Sequence, residues 1–402
     1  MSKKQTAAGP LVDLRGGLRL AADATQGVTG IVEALHATIA RVALPLGRAP
    51  QRKAKGIAGL VYRTVDGTAG LIGKGLDALL TPFEHLLPSQ ASPRRDALVA
   101  ALNGVCGDHL ERSGNPLAIT LQLRWRGQRL DMAGLAAQIP QASSHIVVLV
   151  HGLCMSDHGW LRDGHDHGAA LAKDLGVTPV YALYNSGRHV SANGAALAEQ
   201  LQALVQHWPV PVQQLTIVCH SMGGLIARSA CHQAAQSAAG QDWLKPLRRL
   251  IFIGTPHHGA PLERGGNWLH RVMDVSPYVA PFTRLSGLRS EGITDLRHGN
   301  LLEADWAEHA RDEPGDRRAI VPLPAGVASY AMASTVGGHR LAGSLVGDGL
   351  VTVDSALGHH ADPARALGLA KTHQSTVRDV HHMGLLGSPA VYRKLKRWVA
   401  SD

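Results

Sequence analysis

A serine at position 221 lies where an apolar run, Leu215 to Cys219, passes through His220-Ser221-Met222-Gly223-Gly224 into a second apolar stretch containing Leu225, Ile226 and Ala230. A strand, a sharp turn and a helix in that order put the serine at the turn, in a backbone conformation that only small neighbours permit. The following helix would aim its first amide groups at developing negative charge. Of the pattern G-x-S-x-G, the second glycine is present as Gly223, and the first is replaced by Cys219, itself a small residue. The chemistry open to such a serine is nucleophilic attack on an acyl carbon; the plainer role is a helix cap.

A serine hydroxyl is a poor nucleophile near neutral pH and needs an imidazole beside it, oriented in turn by a carboxylate. Both residue types occur downstream. Asp348 sits in GDGLVTVDSALG and His382 in VHHMGLLGSPAVYRKLKRWV, giving the chain order Ser, Asp, His. Asp354 and His381 compete for the two roles. An oxyanion needs about two preorganised N–H donors, each worth on the order of 3 kcal/mol. The run IVVLV leads into His151-Gly152-Leu153, so the amides of Leu153 and Met222 are the expected donors, with His151 structural.

The elements that must position these groups show in the same stretch of chain. From His145 onward, short apolar runs (HIVVLV, TPVYALY, LTIVC, LIFIG) alternate with helical stretches near Ala169 to Leu175, Ala195 to Trp208 and after Met222. Such alternation predicts an α/β domain, a doubly wound, mostly parallel sheet with helices on both faces. A strand near Ala328 to Ala333 should precede the Asp348 loop. Upstream, a helix is expected over Asp96 to Arg112 and a strand over Ile119 to Arg124. Residues 1–95 read as a basic, glycine-rich helical extension, with helices over 24–47 and 56–87 and a linker between them. Residues 96–143 then lead into a main domain over 144–402, interrupted by an insertion at 261–324. This insertion, with Trp268, Tyr278, Phe282 and Trp306, is expected to be a lid or a fixed cap lining an apolar pocket.

Composition narrows the function classes. The net charge is +9, of which residues 1–95 hold +7 (13 Lys+Arg against 6 Asp+Glu), so the remainder is near neutral. The extension therefore suits a peripheral contact with a membrane or lipid surface, or a helical cap on the main domain. Aromatic residues are 4% of the chain, too few for base-stacking platforms, so no nucleic acid partner is expected. Charged residues interrupt the N-terminal apolar stretches, so neither a signal peptide nor a spanning helix is expected. Cys106, Cys154, Cys219 and Cys231 show no CxxC spacing, as expected for reduced thiols in a cytoplasmic protein. His158, His165 and His167 with Asp163 and Asp166 make a loose cluster, better read as caps and loop hydrogen bonds than as a zinc site. His257 and His258 are assigned to a turn.

Together LVHGLCMSD, VCHSMGGLIARS, IGTPHHGAPLE, GDGLVTVDSALG and HHMGLL resemble the α/β-hydrolase superfamily of lipases and esterases, over roughly residues 144–400. The likeness is to bacterial lipase-like hydrolases with an HG-x oxyanion loop and to inositol-deacylase-like esterases. It implies the α/β-hydrolase fold, a carboxylic-ester hydrolase acting on a hydrophobic ester through an acyl-enzyme, and no cofactor. By the same resemblance the histidine directly before MGLL, His382, is the base. Gly384 stands where relatives often carry a calcium-binding carboxylate, so that metal site is not carried over. An acyltransferase or amidase would use the same triad, and a non-catalytic surface-binding protein is the other alternative.

Overall fold

Runs of Val, Ile and Leu become strands that are buried on both faces. The computed structural model describes residues 92–112, 114–237, 241–260, 290–307, 316–336 and 347–401. In chain order these form α1 (Pro93–Arg112), β1 (Gln122–Trp125), β2 (Gln128–Arg129), β3 (His145–Val150), α2 (His167–Leu175), β4 (Thr178–Leu183) and α3 (Val190–His207). There follow β5 (Gln214–His220), α4 (Met222–Gln236), β6 (Leu247–Ile253), α5 (Glu291–His298), β7 (Ala328–Thr335), α6 (Val353–Leu357), β8 (Gln374–Arg378) and α7 (Pro389–Ala400).

The strands lie in the order β8-β7-β6-β5-β3-β4-β1-β2. Pairing is parallel from β8 through β4 and antiparallel where β1 and β2 extend the edge. Because side chains alternate along a strand, β3 feeds two cores. Ile146, Val148 and Val150 pack with α1, α3 and α4, while Val147 and Leu149 pack with α2 and α7. The sheet is therefore doubly wound, as the alternating pattern predicts.

Several boundaries differ from the sequence reading. The first described helix starts at Pro93, three residues ahead of Asp96, because proline suits the first turn of a helix, where its missing N–H would have no acceptor. β8, with the sequence QSTVR, is a partly exposed edge strand without the unbroken apolar run that marks the inner strands. The helices expected over 24–47 and 56–87 lie outside the described residues, as do Trp268, Tyr278 and Phe282. Of the 261–324 insertion, the described part packs firmly on α3. The buried Asp295 carboxylate accepts from Val190 N (2.8 Å), His189 Nδ1 (2.9 Å) and Asn300 Nδ2 (2.9 Å). Trp306 stacks flat on His189, with ring centroids 3.7 Å apart.

Candidate active site

Every candidate group sits where a parallel strand ends at its carboxyl side, the edge at which open α/β sheets present ligand-binding loops. β5 delivers Ser221 directly into α4. Its φ of 53° and ψ of −126° lie outside the ordinary regions for a side-chain-bearing residue, a local strain of order 1–3 kcal/mol held by the surrounding packing. Ser221 N donates to Ile253 O (3.0 Å) and Gly224 N donates to Ser221 O (3.0 Å), which locks the turn. Gly223 has no alternative here, since a Cβ would run into the carbonyl oxygens of Val150 and His151. Cys219, in the place of the usual first glycine, is fully buried between Val150 of β3 and Phe252 of β6.

The turn after β3 lies against this elbow. A Cβ on Gly152 would come within 3.0 Å of Ser221 Cβ, so the turn after β3 and the serine elbow meet at a residue that must be small. Met222 is the first residue of α4, so its amide has no acceptor within its own helix. Beyond Leu153 the loop is pinned by Cys154 N donating to Ser186 Oγ (3.0 Å). His151 points away into the core. It stacks on Tyr184 at 4.3 Å, and burial pushes its pKa down to about 4, in keeping with a structural role.

Asp348 and His382 come together from the loops after β7 and β8. His382 Nδ1 lies 2.6 Å from Asp348 Oδ2, with both side chains buried. The other carboxylate oxygen accepts from Leu350 N (3.0 Å) and Val351 N (2.8 Å), and His382 N donates to Asp348 O (3.1 Å). A carboxylate only accepts, so Nδ1 carries the proton and Nε2 is left with its lone pair. Room for the ring comes from Gly254 at the end of β6. Its φ is 61°, and a Cβ there would press within 3.2 Å of His382 Cε1. Ser221, His382, Gly152 and Leu153 line one pocket, whose apolar walls include Met155, Leu296, Leu350 and Met383.

The competing residues lie elsewhere. Asp354 is exposed and pairs with His359 Nδ1 at 3.3 Å. His381 is exposed and its Nδ1 accepts from Gly384 N (3.2 Å), capping the short turn that carries His382. The His158 to His167 cluster divides. His165 Nε2 contacts His167 Nδ1 (2.8 Å), His167 Nε2 donates to Leu385 O (3.0 Å), and Asp166 caps α2 through Ala169 N (2.8 Å). His158 instead joins Asp96 and Asp157, a group close enough together to hold a cation. A guanidinium already fills that role: Arg124 Nη1 donates to Asp96 (2.6 Å) and Asp157 (3.1 Å).

Sequence reasoning singled out no function for His220, although it shares the buried pocket with Ser221. The signal available was its place between Cys219 and Ser221 in an otherwise apolar strand. The wall residues Leu296, Leu350 and Met383 carry no chemical signature and come together only in the fold.

Residues 117–287 match the family described as a domain of unknown function, DUF7379. No curated protein sequence matches the chain. Among solved structures, the chain is similar to the mature form of the Bacillus licheniformis lipase BlEst2, at 18% identity and a TM-score of 0.40, covering 63% of this chain and 91% of that one. It is also similar to phospholipase PlaB from Legionella pneumophila, at 14% identity and a TM-score of 0.41, covering 65% and 60% of the two chains. A third likeness is to Aspergillus fumigatus lipase B, at 16% identity and a TM-score of 0.34, covering 62% and 50%. The doubly wound parallel sheet, with a strained serine elbow between β5 and α4 and an Asp–His pair on the loops after β7 and β8, has the α/β-hydrolase fold.

Proposed function

We propose that this chain is a serine hydrolase of carboxylic esters with an apolar acyl group. The observation that carries the reading is the buried His382–Asp348 pair, 2.6 Å across, whose histidine lines one pocket with a serine held at a strained elbow. Ser221 Oγ attacks the ester carbonyl while His382 Nε2 takes its proton. Asp348 holds the ring and offsets the charge that develops on it. The amides of Leu153 and Met222 receive the oxyanion, and His382 returns the proton to the leaving alcohol. Water, activated by the same imidazole, then releases the acid from the acyl-enzyme. The apolar walls favour a hydrophobic acyl chain over a charged one.

The test is labelling with a fluorophosphonate, alongside hydrolysis of chromogenic esters of graded chain length. Modification of Ser221 alone, in proportion to lost activity, is expected; modification at another residue would reject the assignment.

The reaction needs no metal in this reading, so hydrolysis is expected to survive EDTA. Arg124 donates to both Asp96 and Asp157, and a divalent cation there would meet an immediate positive neighbour. Activity lost to the chelator and restored by calcium or zinc would return that acidic group to consideration.

Residues 1–95, with their +7 charge, are proposed as a peripheral contact with an anionic lipid surface. No helix among the described residues is long and apolar enough to cross a membrane. The full chain should sediment with anionic vesicles at low salt and be released as salt screens the charge. Deleting residues 1–91, which stops short of α1, should abolish sedimentation and leave hydrolysis of a small soluble ester intact. If the truncated chain instead aggregates and the full chain ignores vesicles, the segment is a cap over an apolar surface.

A further inference from the structure

His220 immediately precedes the nucleophile, yet its side chain serves two other loops. The ring is fully buried, and its centroid lies 4.8 Å from that of His382. His220 Nε2 lies 3.3 Å from the backbone carbonyl of His382. A carbonyl can only accept, so Nε2 carries the proton and Nδ1 is bare. That Nδ1 has no hydrogen-bond partner and faces the oxyanion loop, 3.2 Å from where a Cβ on Gly152 would stand. Trp160 closes the far side with an edge contact at 6.4 Å.

We propose that His220 is a positioning residue, one ring that ties the His382 loop to the nucleophile elbow and backs the oxyanion loop. This rests on the ester-hydrolase reading for its effect on turnover, though not for its geometry. The Asp348 contact fixes His382 at its Nδ1 edge and its backbone N–H, while the carbonyl side of the residue opens the short 3-10 turn His382–Leu386. The His220 N–H anchors that side. Burial keeps the His220 ring neutral, so it can lie against His382 without opposing the imidazolium that forms there during turnover.

Two variants separate the ring's shape from its hydrogen bond. His220→Phe keeps an aromatic ring and loses the donor. His220→Gln keeps an amide nitrogen near the original Nε2 position. Three readouts apply: kcat and KM on a short soluble ester, the rate of Ser221 labelling by a fluorophosphonate, and the low-field proton NMR resonance of His382 Nδ1. His220→Phe should lower kcat about tenfold or more, as sub-ångström misplacement of a base does, with KM within about twofold. Labelling should slow by the same factor and the low-field resonance should broaden, while His220→Gln restores both. Should the Phe variant not fold, His220→Asn, whose amide is too short to reach the carbonyl, takes its place.

Wild-type kcat and an unchanged resonance in the donor-less variant would overturn the proposal. So would equal impairment of the Gln and Phe variants. The resonance reports on the Asp348–His382 pair whether or not Ser221 is the nucleophile. If Ser221 proves not to be the nucleophile while His220→Phe still broadens that resonance, the ester reading falls and the positioning role stands.

Discussion

Replacing Ser221 by alanine is expected to abolish ester turnover, lowering kcat by a factor on the order of a million while leaving the fold in place. The size follows from the role. The oxygen that forms the acyl-enzyme is removed outright, and the imidazole then has only water to activate from a position built for an alcohol. The fold should survive, because the Ser221 side chain makes no capping hydrogen bond to α4. The elbow is locked instead through Ser221 N to Ile253 O and Gly224 N to Ser221 O, both backbone bonds that alanine retains. Residual hydrolysis above the uncatalysed rate is expected from the oxyanion donors and the pocket alone. Matched thermal melts, with kcat for a short chromogenic ester, check both halves. A folded variant with more than about a hundredth of wild-type turnover would remove Ser221 from the nucleophile's role.

The inner sheet and the elbow were legible because their signals are local. Runs such as HIVVLV and LTIVC have nowhere to go except a sheet covered on both faces, and a serine between an apolar run and an apolar helix is confined to a turn. The edge was less legible. QSTVR in β8 faces solvent on part of its surface and carries no long apolar run, and β1 and β2 are short enough that turn chemistry rather than periodicity sets their pairing. The acid and base could be narrowed to two residues each from the sequence, and only tertiary contact separates them. Asp348 meets the Nδ1 edge of the His382 ring, whereas Asp354, six residues later, turns outward to His359. The histidine cluster was read as caps and loop hydrogen bonds, and its members do serve separate neighbours: Asp166 caps α2, His167 bonds Leu385 O and His158 pairs with Asp96. His220 passed without a function because its neighbours Gly152 and His382 come from loops far apart in the sequence.

Asp348→Asn should cut kcat by about ten thousandfold, with an intact fold and little change in KM. The hydrogen bonds around the carboxylate dictate the outcome. Leu350 N and Val351 N both donate to Oδ1, so an asparagine must place its carbonyl oxygen there to keep the loop satisfied. Its amide nitrogen then faces His382 Nδ1 and donates to it. The imidazole is forced into the tautomer protonated at Nε2, which presents a proton to Ser221 instead of a lone pair. The base is lost although every heavy atom stays within a few tenths of an ångström of its place. Fluorophosphonate labelling of Ser221 should slow in the same proportion, since it needs the same proton acceptor. Asp354→Asn is the control. That side chain is exposed and paired with His359 on the surface, so turnover should stay within about twofold of wild type. If the two substitutions exchange effects, the acid is Asp354 and the His382 loop must reach it in a conformation other than this one.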